Sequence, residues 1–114
     1  MLTIDVLKAS GADVESGLAR CMGREDFYLS LVTKALQDNN FDVLQEKVAE
    51  RDYDAAFEAA HALKGALGNL SITSLFEPVQ TVTEFLRART QMDYAPIVSE
   101  IKAKHDELVK LCES

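Results

Sequence analysis

Hydrophobic residues recur along the chain at the three- and four-residue spacing of an α-helix, and no stretch shows the sustained alternation of a strand. After a short N-terminal element, this pattern predicts a segment starting at Asp13, helices over about 25–37 and 41–50, a helix from Asp52 to about Leu70, a helix through 75–86 and a last helix after Asp93. Aspartate is a preferred N-cap residue, which supports the three starts at Asp13, Asp52 and Asp93. The chain is therefore predicted to be all-α.

Each predicted helix carries one apolar stripe. Four long amphipathic helices with short connections pack best as an antiparallel four-helix bundle, and the shorter N-terminal segments are expected to cover one end of it. We expect one domain over residues 1–114. Two local expectations can be checked: Met22 shares a stripe with Val14 and Leu18, and Pro78 makes its helix start late or gives it an irregular first turn.

Composition and charge narrow the choice of partner. The chain is 47% hydrophobic and carries a net charge of −7, with no long apolar run and no signal-peptide pattern at its start. This charge repels a phosphate backbone, so we expect neither nucleic acid nor membrane as a partner. A cytoplasmic monomer that binds other proteins is predicted. Because the chain begins with Met1, we expect an independent small protein, with an excised domain as the alternative.

The cysteines and the second histidine do not suggest a metal site. Cys21 and Cys112 are far apart in sequence and belong to no CxxC pair. His105 lies on the apolar stripe of the last helix, between Ile101 and Leu108, where a histidine is usually satisfied by a neighbour or by water. No HExxH or ExxH spacing is present, so we predict no metal in the bundle.

The segment AAHALKGALGNL, residues 59–70, has two different faces when it is placed on a helix. The helix that contains this segment is predicted to bury a stripe of Ala56, Ala60, Leu63, Leu67 and Leu70. His61, Lys64, Gly65 and Gly68 fall on the opposite side, within about 60° of the histidine. His61 is therefore expected to face solvent with a cation one turn away.

The two glycines need an explanation, because each costs roughly 1 kcal/mol relative to alanine inside a helix. One explanation is that bare backbone at Gly65 and Gly68 leaves room for another molecule. The alternative is that the glycines serve close helix packing and that His61 is an ordinary surface residue.

The chemistry of an exposed histidine suggests one task. The ordinary pKa of histidine, about 6.5, leaves an exposed imidazole largely neutral and nucleophilic near pH 7. The sequence contains no P-loop or glycine-rich nucleotide loop, so it has no visible means of binding ATP. A nucleophilic histidine beside a lysine suits a phosphoryl group that another protein delivers. Lys64 would offset the charge of the phosphoryl oxygens.

The motif AHALKGALGNL resembles the signature of histidine-containing phosphotransfer (HPt) domains, in which H-x-L-K-G is followed by a small-residue turn and G-N-[LI]-G. The matching positions are His61, Leu63, Lys64, Gly65, Gly68, Asn69 and Leu70. The segment GADVESGLARCMGREDFYLSLV is also similar to the N-terminal segment of bacterial members.

The resemblance implies a four-helix bundle that carries phosphate on Nε2 of His61 and has no kinase activity of its own. It implies receiver domains as partners, one in a hybrid sensor kinase and one in a response regulator. These partners supply the phospho-aspartate, a lysine and Mg²⁺, so the chain needs no cofactor of its own. Lys64 then offsets charge, and Gly65 and Gly68 provide clearance.

Two positions depart from the family pattern. Ser71 stands where members often have glycine, so the histidine helix is expected to end differently. Many members place Gln or Glu on the next helix to hydrogen-bond the second ring nitrogen. Thr83 occupies that position here, with Gln80 one turn earlier. Gln80 is preferred over Thr83, and the open alternative is that water holds the ring.

A receiver must dock around His61. Phe57, one turn before it, and Phe76, off the apolar stripe of the next helix, are candidates for an exposed docking patch. The alternative is that both rings fold into the edge of the bundle. We predict a phosphorelay intermediate, and the rival hypothesis is a non-catalytic helical adaptor that binds receivers without carrying phosphate.

Overall fold

Seven α-helices make up the part of the chain that the structure describes, residues 2–113 of a computed structural model. They are α1 (Ile4–Ala9), α2 (Val14–Arg20), α3 (Glu25–Leu36), α4 (Asn40–Ala49), α5 (Tyr53–Asn69), α6 (Thr73–Arg87) and α7 (Ala95–Glu113). No strand is present among these residues, which confirms the all-α prediction. The two ends of the predicted domain, residues 1 and 114, lie outside the described residues.

The last four helices form a closed ring. Helix α4 packs on α5, α5 on α6 and α6 on α7, and α7 returns to contact α4. Short connections make consecutive helices antiparallel, which confirms the predicted four-helix bundle. Helix α3 adds to α7, and all seven helices contribute side chains to one buried cluster. No helix among residues 2–113 is long and apolar enough to cross a membrane.

Three aspartates act at helix starts as predicted. The carboxylate of Asp13 accepts from the backbone N–H of Ser16 at 3.2 Å, and that of Asp52 accepts from Ala55 at 3.3 Å. Asp93 accepts from the N–H of Ala95, the first residue of α7, at 3.0 Å. The Asp52 contact caps α5, the helix that carries His61.

Of the two alternatives predicted for α6, a late start or an irregular first turn, the late start is wrong. The helix begins at Thr73 and runs through Pro78 without interruption. Proline at the sixth position has no N–H to donate to the carbonyl of Ser74, and its ring crowds that carbonyl. The helix is amphipathic enough to compensate, with Leu75, Val79 and Val82 fully buried.

The position predicted for Met22 is also wrong. Helix α2 ends at Arg20, and Met22 lies beyond it in the left-handed backbone region with φ of 58°. The chain reverses there, so the Met22 side chain is 89% exposed instead of joining Val14 in the core.

Candidate functional site

Helix α5 separates two faces as its sequence predicts. The stripe of Ala56, Ala60, Leu63, Leu67 and Leu70 is buried, and His61 is exposed on the opposite side. Burial of this stripe removes apolar surface from water and thereby fixes the rotation of the helix about its axis. The histidine therefore faces solvent because the other face of α5 is apolar.

His61 lies at the rim of a shallow, open pocket on the bundle surface. The pocket is lined by Arg20, His61, Lys64, Gly65, Gly68, Asn69 and Phe76. The ring of Phe57 contacts the imidazole at a centroid distance of 5.6 Å and an interplanar angle of 41°. Within residues 2–113, neither ring nitrogen of His61 has a hydrogen-bond partner. Both nitrogens are thus available to solvent or to a partner.

Lys64 pairs with a carboxylate that the sequence pattern does not predict. Its Nζ lies 3.4 Å from Oε1 of Glu84 on α6. The other oxygen of Glu84 lies 3.7 Å from Nε of Arg87, whose guanidinium stands 5.5 Å above the ring of Phe57. A continuous set of contacts therefore runs from Lys64 through Glu84 and Arg87 to the neighbour of His61.

The two glycines of the motif have different surroundings. A Cβ atom added at Gly65 would meet nothing within 4 Å. A Cβ added at Gly68 would lie 3.0 Å from Cε1 of Phe76, so the ring packs directly on the bare backbone. Close helix packing explains Gly68. It does not explain Gly65. This glycine weakens the helix, and no contact among the described residues requires the absence of a side chain there.

The end of α5 keeps the usual left-handed geometry even though Ser71 replaces glycine. Ser71 has φ of 56°, and its N–H donates to the carbonyl of Gly68 at 3.1 Å. The N–H of Ile72 donates to Leu67 at 3.0 Å, which completes a Schellman motif. The expectation that this helix ends differently is therefore wrong, because serine adopts the conformation that glycine favours.

Arg20 reaches this helix end from α2. Its Nη1 donates to the carbonyl of Gly68 at 2.6 Å, across 48 residues of sequence. The contact brings a second cation to the pocket that also contains His61 and Lys64. No local pattern in the sequence could have found it, because it depends on how α2 docks against the α5–α6 turn.

Neither candidate for holding the His61 ring reaches it. Thr83 is fully buried, and its hydroxyl donates to the carbonyl of Val79 at 2.6 Å, so this side chain serves α6 itself. Gln80 is exposed on the same helix, and the described residues contain no hydrogen bond between it and the imidazole. A role for Gln80 in orienting the ring stays a prediction.

The two candidate docking rings are half-buried. Phe57 and Phe76 both pack against the hydrophobic core with one side and reach the surface with the other. Phe57 contacts His61, and Phe76 lines its pocket. Their exposed edges flank the histidine, and a role in docking stays a prediction.

The side chain of His105 contributes to packing between helices. Its ring stacks on Phe41 at a centroid distance of 3.7 Å, and Nε2 lies 2.6 Å from the carbonyl oxygen of Leu36. Because a carbonyl only accepts, Nε2 of His105 carries the proton. No group of three metal-ligating side chains occurs among residues 2–113. The two histidines therefore differ: His105 is half-buried and its Nε2 is hydrogen-bonded, whereas His61 is exposed.

A helical bundle that presents an open histidine beside a lysine is compatible with the class of helical phosphotransfer proteins. A family model described as "Hpt domain" matches residues 30–111, and the chain belongs to this family. The match contains α4, α5 with His61, α6 and all but the last two residues of α7, while α1, α2 and Arg20 precede it. Comparisons with curated proteins and with solved structures returned no match.

Membership of the family establishes the general activity. Hpt domains take part in histidine phosphotransfer in phosphorelay signalling, act as phosphocarriers and not as kinases, and interact with receiver domains. The open histidine on α5 is the feature of this chain that is compatible with that activity.

Proposed function

We propose that this chain is a phosphorelay intermediate in which His61 accepts a phosphoryl group from a receiver-domain aspartate and passes it to a second receiver. The observation that carries the proposal is the exposure of His61, with both ring nitrogens unpartnered in the described structure, beside Lys64 and Gly65. The donor receiver would belong to a hybrid sensor kinase and the acceptor to a response regulator.

The reaction is an in-line displacement at phosphorus. Nε2 of neutral His61 forms the N–P bond as the P–O bond to the aspartate breaks, and the carboxylate leaves with the bonding electrons. The Nδ1 proton passes to solvent, which the exposure of the ring allows. Transfer to the second receiver reverses these steps onto its aspartate. Most of the charge stabilisation comes from the receiver, which supplies Mg²⁺ and a lysine, so the chain needs no cofactor of its own.

Lys64 and Gly65 support this step from the chain's own side. The Lys64 ammonium lies one helical turn from His61, where it can offset charge on the phosphoryl oxygens. The open space at Gly65 lets the loops of the receiver approach the backbone. Gly68 contributes differently, by seating Phe76 against α5.

The receiver is proposed to dock on the surface around His61, with the exposed edges of Phe57 and Phe76 as its apolar contacts. The guanidinium of Arg87 covers the Phe57 ring, so the patch combines apolar and basic groups. We propose that the protein acts as a monomer, since docking at this patch uses one copy of the bundle.

The test is transfer of label from phosphorylated receivers. A panel of receiver domains, charged with labelled phosphate and Mg²⁺, is incubated with the unaltered chain and with His61→Gln. We expect an acid-labile, base-stable label on the unaltered chain and none on His61→Gln, with equal helicity by circular dichroism.

His105→Gln is the matched control, because it removes the other histidine. It should keep the label but lower stability, since it loses the stack on Phe41. Label that survives in His61→Gln and disappears in His105→Gln would overturn the assignment. Receiver binding with no label on the unaltered chain would indicate the non-catalytic adaptor instead.

A further inference from the structure

The cation next to His61 is already paired in the unphosphorylated protein. Lys64 Nζ and Glu84 Oε1 are 3.4 Å apart, with side-chain exposures of 28% and 53%. Among residues 2–113, Glu84 is the carboxylate that pairs with Lys64. Part of the positive charge that Lys64 offers to a phosphoryl group is therefore cancelled before the group arrives.

A phosphoryl group on His61 would compete with Glu84 for this lysine. Phosphoryl oxygens carry close to two negative charges near neutral pH, against one for a carboxylate. The two competing groups come from neighbouring helices. His61 shares a face of α5 and a surface pocket with Lys64, and Glu84 reaches Lys64 from α6. Lys64 has one ammonium group to share, so binding to one weakens binding to the other.

Glu84 keeps a second partner when Lys64 moves. Nε of Arg87 lies 3.7 Å from Oε2 of Glu84, on the same helix one turn away. The carboxylate is therefore not left unpaired by the exchange, which makes release of Lys64 inexpensive. Arg87 itself stays in place over the Phe57 ring.

We propose that Glu84 is a positioning residue that acts through Lys64: its carboxylate holds the lysine when His61 is free and competes with the phosphoryl group when His61 is modified. The competition weakens the hold of the chain on the phosphoryl group, which favours its release to the next receiver. This inference rests on the proposed function of His61.

The test uses phosphoramidate, a small phosphoryl donor, so it needs no identified receiver. Nε2 of His61 forms the N–P bond as the P–N bond of phosphoramidate breaks, and ammonia leaves. At a fixed ratio of phosphoramidate to ammonium, the phosphorylated fraction measured by mass spectrometry gives the relative stability of phosphorylated His61.

Glu84→Gln keeps the size of the side chain and removes its charge. We expect the ratio of phosphorylated to free His61 to rise by up to about fivefold, the range that an exposed ion pair supports. The gain should shrink in 1 M salt, where screening acts within about 3 Å. In a Lys64→Met background most of the gain should disappear, because the effect runs through the lysine.

Glu107→Gln is the matched control, since it makes the same charge change at an exposed position on α7 and should leave the ratio unchanged. No rise in Glu84→Gln, a fall, or a rise of equal size with and without Lys64 would overturn the inference. Label at His61 in all variants, with none of it passing to or from receivers, would instead overturn the proposed relay function. Failure to label His61 at all would overturn both.

Discussion

A methyl group added at Gly65 enters open space, whereas one added at Gly68 meets the Phe76 ring at 3.0 Å. Both glycines lower the helix propensity of α5 relative to alanine. Only Gly68 allows a packing contact within the chain, that of the Phe76 ring on its backbone. A residue whose cost has no internal compensation is more readily explained by an external partner. At the scale of single residues, the open space at Gly65 therefore supports the proposed docking of a receiver beside His61.

Alanine at each glycine separates these two roles. We expect Gly65→Ala to raise the free energy of unfolding by about 1 kcal/mol, because the helix gains propensity and nothing is displaced. The same variant should accept label from a phosphorylated receiver more slowly. Gly68→Ala should be less stable than Gly65→Ala, since Phe76 must shift. Urea unfolding and the rate of label transfer measure both effects.

The interpretation of Gly65 has a clear contrary result. Unchanged transfer by Gly65→Ala, together with its increased stability, would remove the argument for clearance at this position. The glycine would then have no described role.

At the scale of helices, four ends share one geometry that composition does not reveal. Helices α2, α4, α5 and α6 end with a left-handed non-glycine residue, namely Met22, Arg51, Ser71 and Arg89. In each case the N–H of the next residue donates the hydrogen bond that completes a Schellman motif. At the end of α4, for example, the N–H of Asp52 donates to the carbonyl of Lys47 at 2.9 Å. Residues with a Cβ are strained there, by about 1–2 kcal/mol in the left-handed region.

Arg51→Gly should relieve this strain at the turn between α4 and α5. We expect the free energy of unfolding to rise by about 1 kcal/mol, with Tm higher by a few degrees. Arg51→Ala is the matched control, because it removes the same side chain and keeps the Cβ atom. Equal stability of the two variants, measured by thermal unfolding, would show that the side chain and not the backbone conformation matters at this turn.

At the scale of the whole molecule, the N-terminal helices are tied to the turn that follows the histidine helix. The hydroxyl of Tyr28 donates to the carbonyl of Leu70 at 2.7 Å, and the N–H of Asp13 donates to Ser71 at 2.9 Å. Gly17 leaves the space that the Tyr28 ring fills. These contacts connect the segment before residue 30 to the bundle that the family model matches.

Tyr28 also predicts how stability depends on alkaline pH. Burial, with smaller contributions from Cys21 and Asp13, raises the pKa of Tyr28 above its ordinary value of 10.0. As pH rises, the unfolded chain therefore loses the Tyr28 proton before the folded chain does. The contribution of the protonated Tyr28 hydroxyl to stability is complete below about pH 10 and is lost as pH rises through the raised pKa of the folded state. The free energy of unfolding is therefore expected to fall as pH increases above about 10.

Tyr28→Phe removes the titrating hydroxyl and should therefore weaken this pH dependence. At pH 7 we expect a loss of about 1 kcal/mol, because the buried carbonyl of Leu70 loses its donor. Above pH 10 the stability of the variant should fall less steeply than that of the unaltered chain. Some slope should remain, since burial also raises the pKa of Tyr94. Identical slopes in urea unfolding across this pH range would contradict the assignment to Tyr28.

Much of the site follows from local sequence alone. A period of about 100° per residue places Ala60 and Leu63 in the core and His61 and Lys64 on the opposite face, and the structure agrees. The aspartate caps are likewise predictable from the sequence, because a cap depends on residues within one helical turn. The faces of the helices, the bundle and the open histidine are accordingly predictable from the sequence.

The partners of these residues are not predictable in the same way. The pairing of Lys64 with Glu84 depends on the register between α5 and α6, which the left-handed turn at Ser71 and the packing of Phe76 on Gly68 establish. Arg20 reaches the pocket only because α2 docks on that turn. Periodicity describes one helix at a time, whereas contacts between helices depend on rotation, register and turn geometry together. The chain alone therefore indicates which histidine is open and which face it occupies, and the packed bundle decides which charges surround it.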